Sequence, residues 1–251
     1  MIIRQFDKIS LKIYDTRTEM GLNAAEDAAI CIRELLNTNE EINCIFAAAP
    51  SQNDFLSALI KKDIEWNRIN AYHMDEYVGF GIGHPDSFNH FLSNAIFDRV
   101  PFKSVNLLNG ANAPDEEAKR YGKLLDAAPS HITFMGIGEN GHIAFNDPAV
   151  ANFEDNVPVK KVKLDNVCRQ QQVNDGCFPT IDDVPQFALT VTIPRLVSSQ
   201  YIFCIVPTEK KHLATKITLT GPINESCPAS ILRRTDNVHM YIDKACAGDL
   251  L

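Results

Sequence analysis

Short apolar runs alternate with amphipathic stretches along nearly all of this chain, and that alternation restricts its fold more than any other feature. Residues 43–49 (NCIFAAA), 132–137 (ITFMGI) and Tyr201–Val206 (YIFCIV) are apolar almost throughout, the pattern of strands covered on both faces of a parallel sheet. Residues 69–77, 105–108 and 238–242 read as further strands, and 157–164 and 187–193 as extended. Between them lie helical patterns. Residues 16–36 place Met20, Leu22, Ala25, Ala28, Ala29, Ile32 and Leu36 near one face. Residues 51–62 open with Ser51 as N-cap, 85–97 carry Pro85 in the first turn, 114–127 begin with acids, and a last helix runs from 208 to about 218. Strands alternating with helices predict an α/β fold: one doubly wound, mostly parallel, Rossmann-like sheet with helices on both faces. No linker, repeat or low-complexity tract interrupts the pattern, so one domain over residues 1–251 is expected.

Charge and cysteine content narrow the function. The net charge of −8 argues against a nucleic-acid-binding surface, although a local basic pocket for a small anion is compatible with it. Seven cysteines, an odd number without a C-x-x-C pair, suit a reduced cytoplasm better than a disulfide framework. Cys44 and Cys204 sit inside apolar runs as small hydrophobes. The opening MIIRQFDKISLKIYD has neither the apolar stretch nor the cleavage site of a signal peptide. No apolar run approaches the ~20 residues that span a bilayer.

Ligands of open parallel sheets bind beyond the carboxyl ends of the strands. Four such places stand out: 47–53, 74–79, 136–148 and 207–211. In MDEYVG (74–79), Asp75 and Glu76 are neighbours on an extended segment, so at most one faces a shared pocket while the other braces the loop. A turn with solvated acids is the bland alternative. GIGENGHIAFNDP (136–148) is more specific. Its glycines allow close backbone approach to a ligand, which makes Gly138 and Gly141 substrate-binding candidates. His142 with Asp147 five residues on is a suitable acid/base pair near neutral pH. The G-x-G-x-x-G spacing of Gly136, Gly138 and Gly141 is a weak dinucleotide signal, because no first-strand βαβ unit surrounds it. His73, His84 and His90 lack the spacing of a metal site, and neither a G-x-S-x-G elbow nor a P-loop is present. No cofactor and no metal are expected.

MDEYVG and GIGENGHIAFNDP are similar to the two active-site signatures of the glucosamine-6-phosphate deaminase family, and VPQFALTVTIPRL (184–196) resembles its next shared segment in the same order and spacing. The superfamily also contains 6-phosphogluconolactonases, which share the Gly-rich His region; MDEYVG points to the deaminase side. The resemblance implies cofactor-free isomerisation and deamination of an amino sugar phosphate, glucosamine 6-phosphate to fructose 6-phosphate and ammonia. Asp75 would be the base that moves a proton between C2 and C1, and His142 the group that opens the ring. Asp147, where the family usually carries Glu, would orient His142, its shorter side chain being expected to loosen that contact. Asn140 would hold His142 by hydrogen bonding alone. Glu76 stays a substrate-binding candidate.

On the phosphate side the chain departs from the family. Where the family has a Gly-Gly turn, this sequence reads Ala47-Ala48-Ala49-Pro50-Ser51-Gln52-Asn53, leaving Ser51 and Gln52 at a helix start as candidates. The family's arginine before a Phe-Phe pair is missing, and Arg169 is a possible substitute. The family lysine falls on Lys211 if Thr208 stands for the preceding Gly, or on Lys210 if Pro207 does; both could instead be solvated. The expected partner is a small-molecule sugar phosphate, with no nucleic acid and no membrane; a homo-oligomer is left open. A lactonase-type hydrolase, which would not need Asp75, and a non-catalytic sugar-phosphate sensor are the alternatives. The acidic charge, the lack of a DNA-binding helix-turn-helix, and the joint presence of Asp75 and His142 count against the sensor.

Overall fold

The computed structural model describes residues 1–127 and 129–250. An eight-stranded sheet runs in the order β1 (Ile2–Phe6), β2 (Ile9–Tyr14), β11 (Val238–Asp243), β10 (Tyr201–Val206), β7 (Ile132–Met135), β3 (Ile42–Phe46), β4 (Ile69–His73), β6 (Ser104–Asn106). Neighbours are parallel except β1, which folds back antiparallel on β2. The expected doubly wound architecture is therefore present. Its side chains alternate between two cores as the strand period requires. Cys44 and Phe46 face one core and Ile45 the other; Phe203 and Ile205 face the first, and Ile202, Cys204 and Val206 the second.

Helices cover both faces. The first core takes α1 (Arg17–Thr38), α2 (Asn53–Leu59), α3 (Phe88–Leu92) and, through Cys168, α5 (Asn166–Asn174). The second takes α4 (Pro114–Asp126), α6 (Ile193–Val197), α7 (His212–Thr220) and the short α8 (Lys244–Ala247). Thr16 caps α1, its side chain accepting from the Glu19 N–H. Leu22, read as part of the apolar face of α1, is instead exposed. The helix expected from Ser51 starts otherwise: Ala49 is the cap, Pro50–Gln52 form a 3₁₀ turn, and the α-helix begins at Asn53. The reason is Pro50, which stands at the first turn of that segment with its φ already fixed. Pro85 likewise does not open its helix. Ser87 caps α3 by accepting from the His90 N–H, and the helix widens into a π turn over Ser93–Phe97.

A second, three-stranded antiparallel sheet joins β5 (Asp75–Tyr77), β9 (Phe187–Val191) and β8 (Val159–Lys163). The sequence reading ran 69–77 together as a single strand with its exit. The chain in fact leaves the main sheet after His73, the Met74 carbonyl accepts from the Val191 N–H at 2.7 Å, and Asp75 enters the second sheet. A buried hydroxyl fixes that departure. Tyr121 Oη on α4 accepts from the His73 N–H (2.9 Å) and reaches the His73 and Asn106 carbonyls at 2.9 and 3.1 Å. His73 Nε2 in turn accepts from the Leu108 N–H, and burial lowers its pKa to about 3, so the ring is neutral. Tyr121→Phe strands these buried backbone groups and is expected to cost about 1–3 kcal/mol. A lower urea midpoint at unchanged slope is the expected result.

Candidate active site

The four strand ends singled out in the sequence belong to β3, β4, β7 and β10, and in the sheet these are consecutive: β10, β7, β3, β4. From β3 the chain goes to β4 on one side, and from β7 to β10 on the other. That reversal leaves a crevice between β3 and β7. One pocket fills it, lined among others by Ala47, Ala49, Ser51, Gln52, Asp75, Gly138, His142, Gln172 and Lys211.

His142 is held from two directions. Its backbone N–H donates to Asn140 Oδ1 at 3.0 Å, and its ring Nδ1 lies 2.9 Å from Asp147 Oδ1. The two groups lie close, but the ring N–H is not aligned along the line between them, so the contact is one of proximity and charge more than of a well-formed hydrogen bond. Asn140 Nδ2 donates to Asp147 Oδ1 (3.0 Å) and to Asp165 Oδ2 (3.2 Å), so the amide braces backbone and carboxylate together. Burial alone would raise the Asp147 pKa, but its bonds to His142 and Asn140 hold it below the ordinary value. The imidazole lies flat on Gly138, where an added Cβ would come within 2.2 Å of the ring, so a glycine is required there. Gly141 is not among the pocket-lining residues; it turns the chain at φ +84° against Cys227.

Asp75 and Glu76 point apart, as neighbours on a strand must. Asp75 lines the pocket and its carboxylate makes no hydrogen bond with any described residue. Burial, and secondarily the charge of Glu76, push its pKa well above the usual carboxylate range. Glu76 does not line the pocket. Its two oxygens accept from the Tyr77, Phe88 and Asn89 N–H groups and from Asn89 Nδ2, pinning the start of α3. Burial raises Glu76 to about 7 despite these four bonds.

On the opposite wall, Lys211 is 5% exposed, and no described residue takes its ammonium; burial lowers its pKa. Lys210 is exposed and donates to the Asn174 carbonyl, away from the pocket. The backbone explains the choice between them. Thr208 sits at φ +81°, ψ 149°, a region essentially reserved for glycine, and so takes the place of the absent Gly. Asp243 holds it there, both carboxylate oxygens accepting the Thr208 N–H at 3.0 and 3.2 Å. Arg169 is turned away: its guanidinium donates to the Ile181 and Val184 carbonyls. Ser51 Oγ lies in the pocket and accepts from Gln52 Nε2 at 3.1 Å.

Gln171 and Gln172 on α5 also line the pocket, and nothing in the sequence reading marked them. The segment NVCRQQQVN lacks an apolar face, so its helix was not legible. Gln171 Oε1 accepts from the Glu139 N–H at 2.8 Å, whereas Gln172 bonds to no described side chain. His142, Asp147 and Cys168 bring possible metal-ligand atoms within 4.8 Å of one another. Asp147 there is already engaged by Asn140 and His142, and burial keeps Cys168 a neutral thiol, so the set suits a hydrogen-bonded cluster better than a metal.

Asp75 gives a stability test. Its folded pKa lies above its unfolded one, so its contribution is fully present below the unfolded value near 3.9 and is lost as pH rises through the folded value. Asp75→Asn is expected to melt at a higher temperature than the native chain at pH 8, the difference shrinking toward pH 4.

A family model described as glucosamine-6-phosphate isomerases/6-phosphogluconolactonase matches residues 15–241. A glucosamine-6-phosphate deaminase of Lacticaseibacillus paracasei is 30% identical over 96% of this chain and 99% of its own. One from Streptococcus agalactiae is 34% identical over 81% of this chain and 86% of its own. The solved structure of a monomeric glucosamine-6-phosphate deaminase superposes with a TM-score of 0.85 at 28% identity, covering 94% of this chain and 98% of that one.

Proposed function

Because the chain belongs to the glucosamine-6-phosphate isomerase/6-phosphogluconolactonase family, we propose that it is an enzyme converting glucosamine 6-phosphate and water to fructose 6-phosphate and ammonia. One observation carries the reading: Asp75, His142 and Lys211 line the same pocket. His142 moves a proton between the ring oxygen and the C1 hydroxyl, opening the pyranose to the aldehyde. Asp147 and Asn140 keep its ring oriented. The Asp75 carboxylate takes the C2 proton and returns it to C1, converting the C2 amine to an imine. Water adds to that imine and ammonia leaves. The electron pair stays within the sugar, so the reaction needs no external oxidant.

The environment of Asp75 suits this work. A carboxylate partly desolvated by burial and without hydrogen bonds from the protein is a stronger base than a fully solvated one, and the substrate's ammonium at C2 favours its charged form when bound. Lys211, with Ser51 and Gln172, receives the phosphate at the far wall. A lactonase would have no step for Asp75. The seven free cysteines support a reducing, cytoplasmic setting. No helix among the described residues is long and apolar enough to cross a membrane. A single domain over residues 1–251 carries the reaction, a reading supported by the pairing of β2 with β11, which brings both ends of the described chain into one sheet.

Release of ammonia and fructose 6-phosphate from glucosamine 6-phosphate tests the function directly; no release at millimolar substrate would refute it. Asp75→Asn is expected to lose C2 hydrogen exchange with deuterated water by roughly 10²–10⁴-fold or more, with substrate binding retained. Undiminished exchange would remove Asp75 from the mechanism. His142→Gln is expected to lose far more activity on the cyclic sugar than on an open-chain analogue, which has no ring to open. Equal losses on the two would contradict the assignment.

A further inference from the structure

The turn that delivers Lys211 to the pocket is held from a neighbouring strand. β10 and β11 run parallel with Val206 beside Ile242, so Asp243 stands one residue further on, where the chain leaves β10. Pro207 follows β10, and Thr208 then takes φ +81° and ψ 149°. That conformation is strained for any residue with a Cβ, and most of all for a β-branched one, so it persists only where the surroundings impose it. The Thr208 hydroxyl imposes nothing, because it bonds to no described residue. The Thr208 N–H is held instead, donating to Asp243 Oδ1 at 3.0 Å and Oδ2 at 3.2 Å. The Thr208 carbonyl then accepts from the Lys211 N–H at 3.1 Å, closing the 3₁₀ turn Glu209–Lys211 from which the lysine enters the pocket.

Asp243 serves this turn rather than a charge pair. It is 5% exposed, and no lysine, arginine or histidine among the described residues pairs with it. Its oxygens take backbone N–H groups only: that of Thr208 and, as the cap of α8, that of Cys246 at 2.8 Å. The cap accounts for Oδ1, and an asparagine caps a helix as well as an aspartate does. Oδ2 has no partner other than Thr208. A role confined to α8 therefore leaves the second oxygen, and the burial of a carboxylate at this point, without a reason. Nor does Asp243 act on Lys211 by charge; the carboxylates that do are Asp175 and Glu139.

Resting on the function proposed above, we propose that Asp243 is a positioning residue for phosphate binding: it holds Thr208 in a glycine conformation and so keeps Lys211 facing the pocket. A glycine at position 208 would adopt the same angles unaided. The need for Asp243 is therefore conditional on Thr208, and substitutions of the two are strongly non-additive.

The test is steady-state ammonia release from glucosamine 6-phosphate by the native enzyme, Asp243→Asn, Thr208→Gly and the double variant. Asp243→Asn leaves an oxygen for the α8 cap but turns an NH₂ group toward the Thr208 N–H. It is expected to raise KM by roughly tenfold or more with kcat within about threefold of native, because a phosphate held equally in ground and transition states affects KM alone. Inorganic phosphate, as a competitive inhibitor, is expected to weaken by a similar factor. Thr208→Gly alone is expected to keep the native KM, and adding it to Asp243→Asn is expected to bring KM back to within about threefold of native. A purely structural cap would show no such rescue. A native KM in Asp243→Asn, a loss confined to kcat, or a double variant as impaired as the single one would overturn the role. If Asp243→Asn alone fails to fold, the double variant decides. Folding with a near-native KM supports the proposal; failure to fold would put the need for Asp243 outside the Thr208 turn and overturn it. An unchanged KM in Lys211→Met would instead refute the phosphate wall itself, and with it the substrate reading on which this inference rests.

Discussion

Thr190, on β9, joins the two halves of the proposed catalytic apparatus. Across the small sheet its Cα is paired with that of Asp75, which places the proposed base. Its own Oγ1 accepts from the Phe145 N–H at 3.1 Å and from Asn146 Nδ2 at 3.3 Å. Asn146 Nδ2 also reaches the Val191 carbonyl, and a tight turn with Ala144 at φ +50° carries the chain back to His142. The separation of base and imidazole is thus set by one strand that belongs to neither segment. The main sheet brings four loops to one edge, but the small sheet determines how two of them face each other.

Within that frame the two aspartates are differentiated by what they touch. Asp147 lies against an imidazole and an amide that hold its pKa down, which suits the orienting charge proposed for it. Asp75 is largely buried and takes no hydrogen bond from any described residue, so its proton affinity rises. Chemically identical side chains have their proton affinities pushed in opposite directions because one receives hydrogen bonds from the protein and the other does not. Glu76 is a third case, its carboxylate occupied in holding α3 by backbone N–H groups.

The sequence made the large sheet legible because its strands are covered on both sides and read as plain apolar runs; 201–206 was placed to the residue. Segments whose shape depends on distant partners were not legible. β5 is three residues long and exists only because β9 lies alongside. α5 has almost no apolar face and contributes Gln172 through a surface that carries no periodic signal. The choice between Lys210 and Lys211 turned on a backbone angle at Thr208, imposed by Asp243 from the end of β11, and no local pattern encodes that. The strings proposed to be catalytic were readable because their residue types suit acid/base chemistry. The proposed phosphate wall was less so, because Arg169, a plausible cation by residue type, is consumed by carbonyls.

The place of β2 in the sheet carries a consequence for how the chain reaches this state. β2 pairs along its length with β11, Ile9 facing Val238 and Tyr14 facing Asp243, so partners roughly 230 residues apart must meet. During synthesis β2 emerges long before β11 and has the β1 hairpin to pair with, while its other edge, on a strand that buries Ile9, Leu11 and Ile13, stays open until β11 has been made. The sheet therefore closes last at the seam between β2 and β11, after the crevice strands have had the chance to assemble. Aggregation of nascent or truncated chains would start from that waiting edge, far from the pocket, and a chaperone that shields it would assist folding without touching the catalytic residues.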